Sequence, residues 1–172
     1  MTLNSLTQLR QKTLWVARHG KSIRGIDDYG DTILTATLLP EAYGPLHRLA
    51  AYLEHVPTDG NWVSPIERCQ QTARLISEKT AKQFITDSRI TEYYQETFEE
   101  MVVRVSNFLE ELSAHEGQSF LLCTHGGVIA IIKHLYLDGK VDESQNLDYT
   151  LPGELMKLTN KKIEILSFNA DE

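Results

Sequence analysis

Residues 119–124, Ser-Phe-Leu-Leu-Cys-Thr, form an apolar run with glycine close by on either side, at Gly117 and Gly126. A strand with one wet face alternates apolar and polar residues. A run without alternation therefore reads as a strand covered on both faces, the condition of parallel strands packed between two layers of helices. This places strong limits on the fold, because the rest of the chain must supply those helices and the further strands between them.

The alternation is present. TLWVA (13–17), NWVS (61–64) and QFITD (83–87) have strand character, and Leu46, Leu49, Ala50 and Leu53 mark one face of a helix over 45–53. The segment 64–80 is predicted helical, with Ser64, Pro65 and Glu67 fitting an N-cap, a first-turn proline and a capping-box partner. A second box, Thr97 with Glu100, opens a helix over 97–112 whose core stripe is Phe98, Met101, Val102, Val105, Phe108, Leu109 and Leu112. VIAIIKHLYL (128–137) continues as helix, and ELMKLT and KIEILSF flank Asn160-Lys161 as a closing hairpin. The expected fold class is α/β, a three-layer sandwich with a mostly parallel central sheet flanked by helices. No repeat or linker divides the 172 residues, so one domain over 1–172 is expected, with 1–12 as an N-terminal extension.

A net charge of −7 argues against a nucleic-acid partner, which normally needs a basic face, but not against a local anion pocket. Cys69 and Cys123 lack metal-ligand spacing and read as buried, reduced thiols. The N-terminal MTLNSLTQLRQKT is too polar for a signal-peptide core, and the VIAII run is cut by Lys133 far short of a membrane span. A cytoplasmic protein with no membrane partner is expected.

Two apolar runs stop on histidine and glycine, LWVARHG ending at Gly20 and FLLCTHGG at 120–127. In open α/β sheets ligands sit outside the carboxyl ends of strands, where His19 and His125 would both lie, with Arg68 in the first turn of a helix entered from a third strand. His47, His55, His115 and His134 have no metal-ligand spacing, and no metal or cofactor is expected. Alone, Arg18-His19-Gly20 is a short signal that reads as a loop with a solvated arginine beside a helix-capping histidine.

Taken in order, VARHGKS, SPIERCQQTA and LLCTHGG resemble the R-H-G-x-S/T, S-P-x-x-R-x-x-Q-T-A and S/T-H-G-G motifs of the histidine phosphatase superfamily, also called phosphoglycerate mutase-like. The resemblance runs from about residue 13 to 168. It implies a phosphoglycerate mutase-like sheet and a reaction through a phosphohistidine on His19. The chemistry fits: a phosphoryl group in transfer carries charge on three equatorial oxygens, and Arg18, Arg68 and His125 can supply donors around it. Gly20 would let the backbone approach a phosphate and offer its own N–H, with Lys21, Ser22 and Gly126 beside it.

The family places a glutamate acid after the third strand, in a segment resembling L-x-E. The ITE at 90–92 puts Glu92 there, with Glu96 the alternative. Many members carry asparagine seven residues after the motif arginine, where this chain has Gly25, so Arg24 or Lys21 is expected to replace that phosphate contact. Only YYQE stands where larger members insert a G-x-x-E-G stretch. The short segment favours a metal-independent phosphatase, acting on a small phosphorylated substrate or a phosphohistidine protein. A phosphoglycerate-type mutase, or a silent phosphate-binding module on the same fold, are the alternatives.

Overall fold

In the computed structural model, which describes residues 1–23, 33–145, 147 and 149–169, the chain runs through α1 (Leu3–Arg10), β1 (Thr13–Arg18), α2 (Tyr43–Leu53), β2 (Gly60–Val63), α3 (Glu67–Thr80), β3 (Ile85–Thr86), α4 (Phe98–Ala114), β4 (Ser119–Thr124), α5 (Gly126–Asp138), β5 (Glu154–Thr159) and β6 (Lys162–Ser167). The sheet order is β3-β2-β4-β1-β5-β6. Strands β1, β2, β3 and β4 pair in parallel, while β5 joins β1 antiparallel and turns back into β6.

The unalternated runs occupy the middle of the sheet, where both faces are covered. Leu14 and Val16 of β1, with Phe120 and Leu122 of β4, pack under Leu9, Phe108, Leu109 and Ile132. Trp15, Ala17 and Leu121 face Leu46, Leu49, Leu53 and Ile76 on the other side. The closing hairpin turns at Asn160 and Lys161, both at positive φ, as the right-handed twist of a two-residue turn requires.

The first twelve residues do more than extend the chain. Helix α1 is capped by Thr2, whose side chain accepts from the Ser5 N–H, and Arg10 donates through Nε and Nη2 to the carbonyls of Tyr136 and Leu137, both at 2.8 Å. Leu9 has no exposed surface. The predicted capping box Thr97–Glu100 forms, whereas the one at Ser64–Glu67 does not. Helix α3 starts at Glu67 behind Ile66, and the Ser64 hydroxyl accepts from the Ile66 N–H at 3.2 Å but also contacts a ring nitrogen of His125 at 2.8 Å. The tertiary partner outcompetes the local cap.

Because Leu9 lies in a core shared with α4 and α5, Leu9→Ala is predicted to lower unfolding stability by about 2–5 kcal/mol. Urea denaturation checks it; a loss under about 1 kcal/mol would return residues 1–12 to the status of an appendage.

Candidate active site

Parallel register builds the site. Arg18 pairs with Thr124 and Val63 with Cys123, so the residues just beyond the three strands, His19, His125 and Ser64, emerge at one level. The His19 N–H donates to the Thr124 carbonyl at 3.1 Å and the Ser64 N–H to that of Cys123 at 3.0 Å, prolonging the ladders by one step each. The two imidazoles lie edge to face with centroids 5.3 Å apart. Both are buried, at 1% exposure for His19 and 0% for His125, as is Arg68.

His19 is held at both ring nitrogens. Its Nδ1 is 2.8 Å from the carbonyl oxygen of Gly20 and its Nε2 is 3.2 Å from Nε of Arg68. A guanidinium only donates, so Nε2 carries the lone pair and Nδ1 the proton. Burial, followed by the positive charge of His125, holds His19 well below the usual imidazole range, so it is neutral.

Glu92 lies among the cations. Its Oε2 is 2.7 Å from Nη2 of Arg68 and 3.4 Å from Nδ1 of His125, and its Oε1 accepts from the Tyr93 N–H at 3.0 Å. Burial opposes its charge, but hydrogen bonding and charge from His125 outweigh that, with Arg68 and Tyr93 adding to them, and bring the carboxyl down to about 2. Burial likewise opposes charge on His125, against which the Cys69 sulfur and Glu92 carry it up to about 9. Cys69 is itself pushed far upward by burial and stays a neutral thiol, so Glu92 is the partner that supplies the charge. The Ser64 hydroxyl, 2.8 Å from Nε2, accepts the second proton of the imidazolium.

Arg18 anchors through Nη1 to the Thr150 carbonyl at 2.8 Å. A Cβ on Gly126 would stand 3.3 Å from the Arg18 guanidinium carbon, so this glycine makes room for that side chain. Helix α5 begins at Gly126, directly after His125, and turns its positive end toward the same edge. Among the described residues, no group of three or more His, Cys, Asp or Glu is placed to hold a metal, and no helix is long and apolar enough to cross a membrane.

The sequence profile of the histidine phosphatase superfamily (branch 1) matches residues 14–95 and 92–170. The chain belongs to that family. No curated protein sequence matches. Among solved structures, the alpha-ribazole phosphatase of Shigella flexneri aligns with a TM-score of 0.70 at 19% identity, over 92% of this chain and 96% of its own. The mycobacterial glucosyl-3-phosphoglycerate phosphatase, in a structure with VO3, gives 0.71 at 18%, over 93% and 100%. A phosphoglycerate mutase from Bacillus anthracis gives 0.62 at 15%, over 93% and 94%. At these identities the likeness is one of fold, and it is that of a phosphoglycerate mutase-like sheet.

In this member of the histidine phosphatase superfamily, His19, Arg68, Glu92 and His125, four of the residues singled out as catalytic, are linked by direct contacts at one sheet edge, and Arg18 stands beside them at the end of β1, held by the Thr150 carbonyl. Glu96 does not join them: its carboxylate is clamped by Arg104 at 2.5 and 2.9 Å, which ties the 92–96 turn to α4. The Gly20 N–H is not offered outward, since it donates to the Thr72 hydroxyl at 3.0 Å. The need for glycine there is steric: a Cβ would come 2.6 Å from Cδ1 of Leu46. Lys21 is exposed and reaches Glu41 at 3.8 Å, at a cavity of about 240 Å³ that Pro45, Leu151 and Pro152 also line. Ser22 is buried and bridges to Leu38. Arg24 and Gly25 lie outside the described residues. The motif SPIERCQQTA contains Gln71 and Thr72 but gave them no role; Gln71 accepts from the Leu38 N–H at 2.9 Å, and sequence reasoning missed the Ile33 and Thr150 carbonyls that hold the two arginines.

The ion pair fixes a pH window for stability. A carboxyl lowered from 4.5 to about 2 contributes stability above 4.5 that is lost as pH falls toward 2, and an imidazole raised from 6.5 to about 9 contributes below 6.5 and loses it as pH rises through 9. The pair's contribution is thus full only between about 4.5 and 6.5. In Glu92→Gln the His125 titration, followed by NMR, is predicted to fall by more than one unit; an unmoved titration would remove Glu92 as its partner.

Proposed function

We propose that this chain is a phosphatase that hydrolyses phosphomonoesters, or protein phosphohistidine, through a phosphohistidine formed on His19. The observation that carries the reading is the state of His19: neutral, with Nδ1–H spent on the Gly20 carbonyl and the Nε2 lone pair turned to a guanidinium. An imidazole can attack phosphorus only from an unprotonated nitrogen. In the first step the Nε2 lone pair forms the N–P bond as the ester P–O bond breaks, and Glu92 gives its proton to the departing oxygen. In the second, water attacks phosphorus, Glu92 takes the proton of that water, and the N–P electrons return to His19. Arg18, Arg68 and imidazolium His125 offset the charge on the equatorial oxygens.

Glu92 begins ionised, held by Arg68 and His125. A phosphate dianion that draws those two cations to itself removes what keeps the carboxyl low and adds a negative neighbour. Both effects raise its affinity for a proton and ready it as the acid. The exposed Tyr93 and Tyr94 beside it leave the mouth open, which favours water as the acceptor. A mutase reading keeps support from the Bacillus anthracis mutase, 94% of whose chain is covered, so length alone does not separate the two. Phosphoryl transfer from a phosphoglycerate to a second acceptor, in preference to water, would favour the mutase.

Hydrolysis of p-nitrophenyl phosphate is predicted to survive excess EDTA and to vanish in His19→Ala, while Arg18→Ala, Arg68→Ala and His125→Ala each lose about 10²–10³ in rate. Steady-state assay decides; activity lost on chelation and restored by a divalent ion, or retained in His19→Ala, would sink the reading. Glu92→Gln is expected to cripple phosphorylation of His19 by alkyl phosphates but to spare the first turnover of the aryl ester, read as a burst of phenolate that leaves unaided, and Glu96→Gln to show neither effect. The reverse pattern would transfer the acid role to Glu96.

A further inference from the structure

Four hydrogen bonds in the site form a closed circuit, and all of them run in the same sense. Nε–H of Arg68 donates to Nε2 of His19 at 3.2 Å, and Nδ1–H of His19 donates to the Gly20 carbonyl at 2.8 Å. The Gly20 N–H donates to the Thr72 hydroxyl at 3.0 Å, and that hydroxyl donates to the Arg68 carbonyl at 2.8 Å, one helical turn back. The Arg68, His19 and Thr72 side chains are buried, so little water competes for these bonds; polarisation links them through the His19 ring and through the Thr72 hydroxyl, while the Gly20 and Arg68 backbones join them mechanically.

We propose that Thr72 is a positioning residue that sets the tautomer of His19 through Gly20, holding the proton on Nδ1 and the lone pair on Nε2. The hydroxyl has one proton and gives it to Arg68, so toward Gly20 it acts only as acceptor. That pins the amide of Gly20, and the same residue's carbonyl, on the far side of its Cα, takes the His19 proton. Leu46 and Ala42 fill the space where a Cβ on Gly20 would stand, which leaves the loop little room to find another arrangement. Valine matches threonine in shape but can neither accept from Gly20 nor donate to Arg68. Serine keeps both bonds and loses only a methyl group.

The proposal rests on His19 being the nucleophile, and its test has one arm that does not depend on activity. Long-range proton–nitrogen spectra of protein labelled with nitrogen-15 histidine, assigned against His19→Ala, report which ring nitrogen carries the proton. The wild type is expected to show His19 protonated at Nδ1 alone, Thr72→Val to show exchange between tautomers, and Thr72→Ser to look like the wild type. In the p-nitrophenyl phosphate assay, Thr72→Val is expected to lose roughly 10–100-fold in kcat with KM little changed, by analogy with the loss of a partner that orients a metal-ligating imidazole, and Thr72→Ser to recover most of it. If Thr72→Val does not fold, Thr72→Ala takes its place in both arms. An unchanged His19 tautomer in the variant, or a loss in Thr72→Ser equal to that in Thr72→Val, overturns the proposal. Should no phosphate ester be turned over by any form, the functional reading fails and the tautomer arm still decides the role of Thr72.

Discussion

The buried guanidinium of Arg68 is the constraint on which the rest of the site depends. Placing an unpaired cation out of water costs several kcal/mol, so every donor of such a group needs a partner supplied by the fold. Arg68 meets Glu92 at 2.7 Å through Nη2, the Ile33 carbonyl at 2.5 Å through Nη1 and the His19 ring at 3.2 Å through Nε. Each contact carries a second consequence. The carboxylate is held ionised, the Ile33 carbonyl is tied to the sheet edge, and the imidazole must stay neutral because a protonated ring would turn a hydrogen bond into a repulsion.

This arrangement needs a rigid base. Parallel pairing of β1, β2 and β4 delivers Arg18, Ser64 and His125 to one edge without any of them leaving a strand end by more than a residue. Antiparallel β5 beside β1 then brings the loop at Thr150 against Arg18. Both helix layers are needed to bury those central strands. The stability of the sandwich and the positions of its polar residues therefore have the same origin in the unalternated runs.

Much of this was legible in the sequence because it is local or periodic. Continuous apolar runs marked the buried strands, the stripe from Phe98 to Leu112 marked α4, and histidine after a strand end marked the edge. What was not legible involves partners far apart in the chain. Ser64 has a sound local capping pattern but is taken by His125, 61 positions away. Gly20 looked like a phosphate-binding glycine until Thr72, 52 positions on, accepted its N–H. Helix α1 shows only Leu6 and Leu9 buried on its apolar side, and its cohesion comes from Glu110, Tyr136 and Leu137, none of which its own sequence can announce.

The two edges of the sheet bear on how the protein behaves in a crowded solution. Strand β3 is two residues long, so one edge offers almost no row of unpaired amides to a neighbouring chain. Strand β6, at the other edge, is six residues long and exposes Ile165, but it sets Lys162 and Glu164 on either side of Ile163. A second copy pairing there in antiparallel register about Ile163 would bring Lys162 opposite Glu164, which invites association, whereas a parallel in-register approach would stack like charges. The geometry of the edge thus discourages fibrous stacking while leaving a symmetric pairing open.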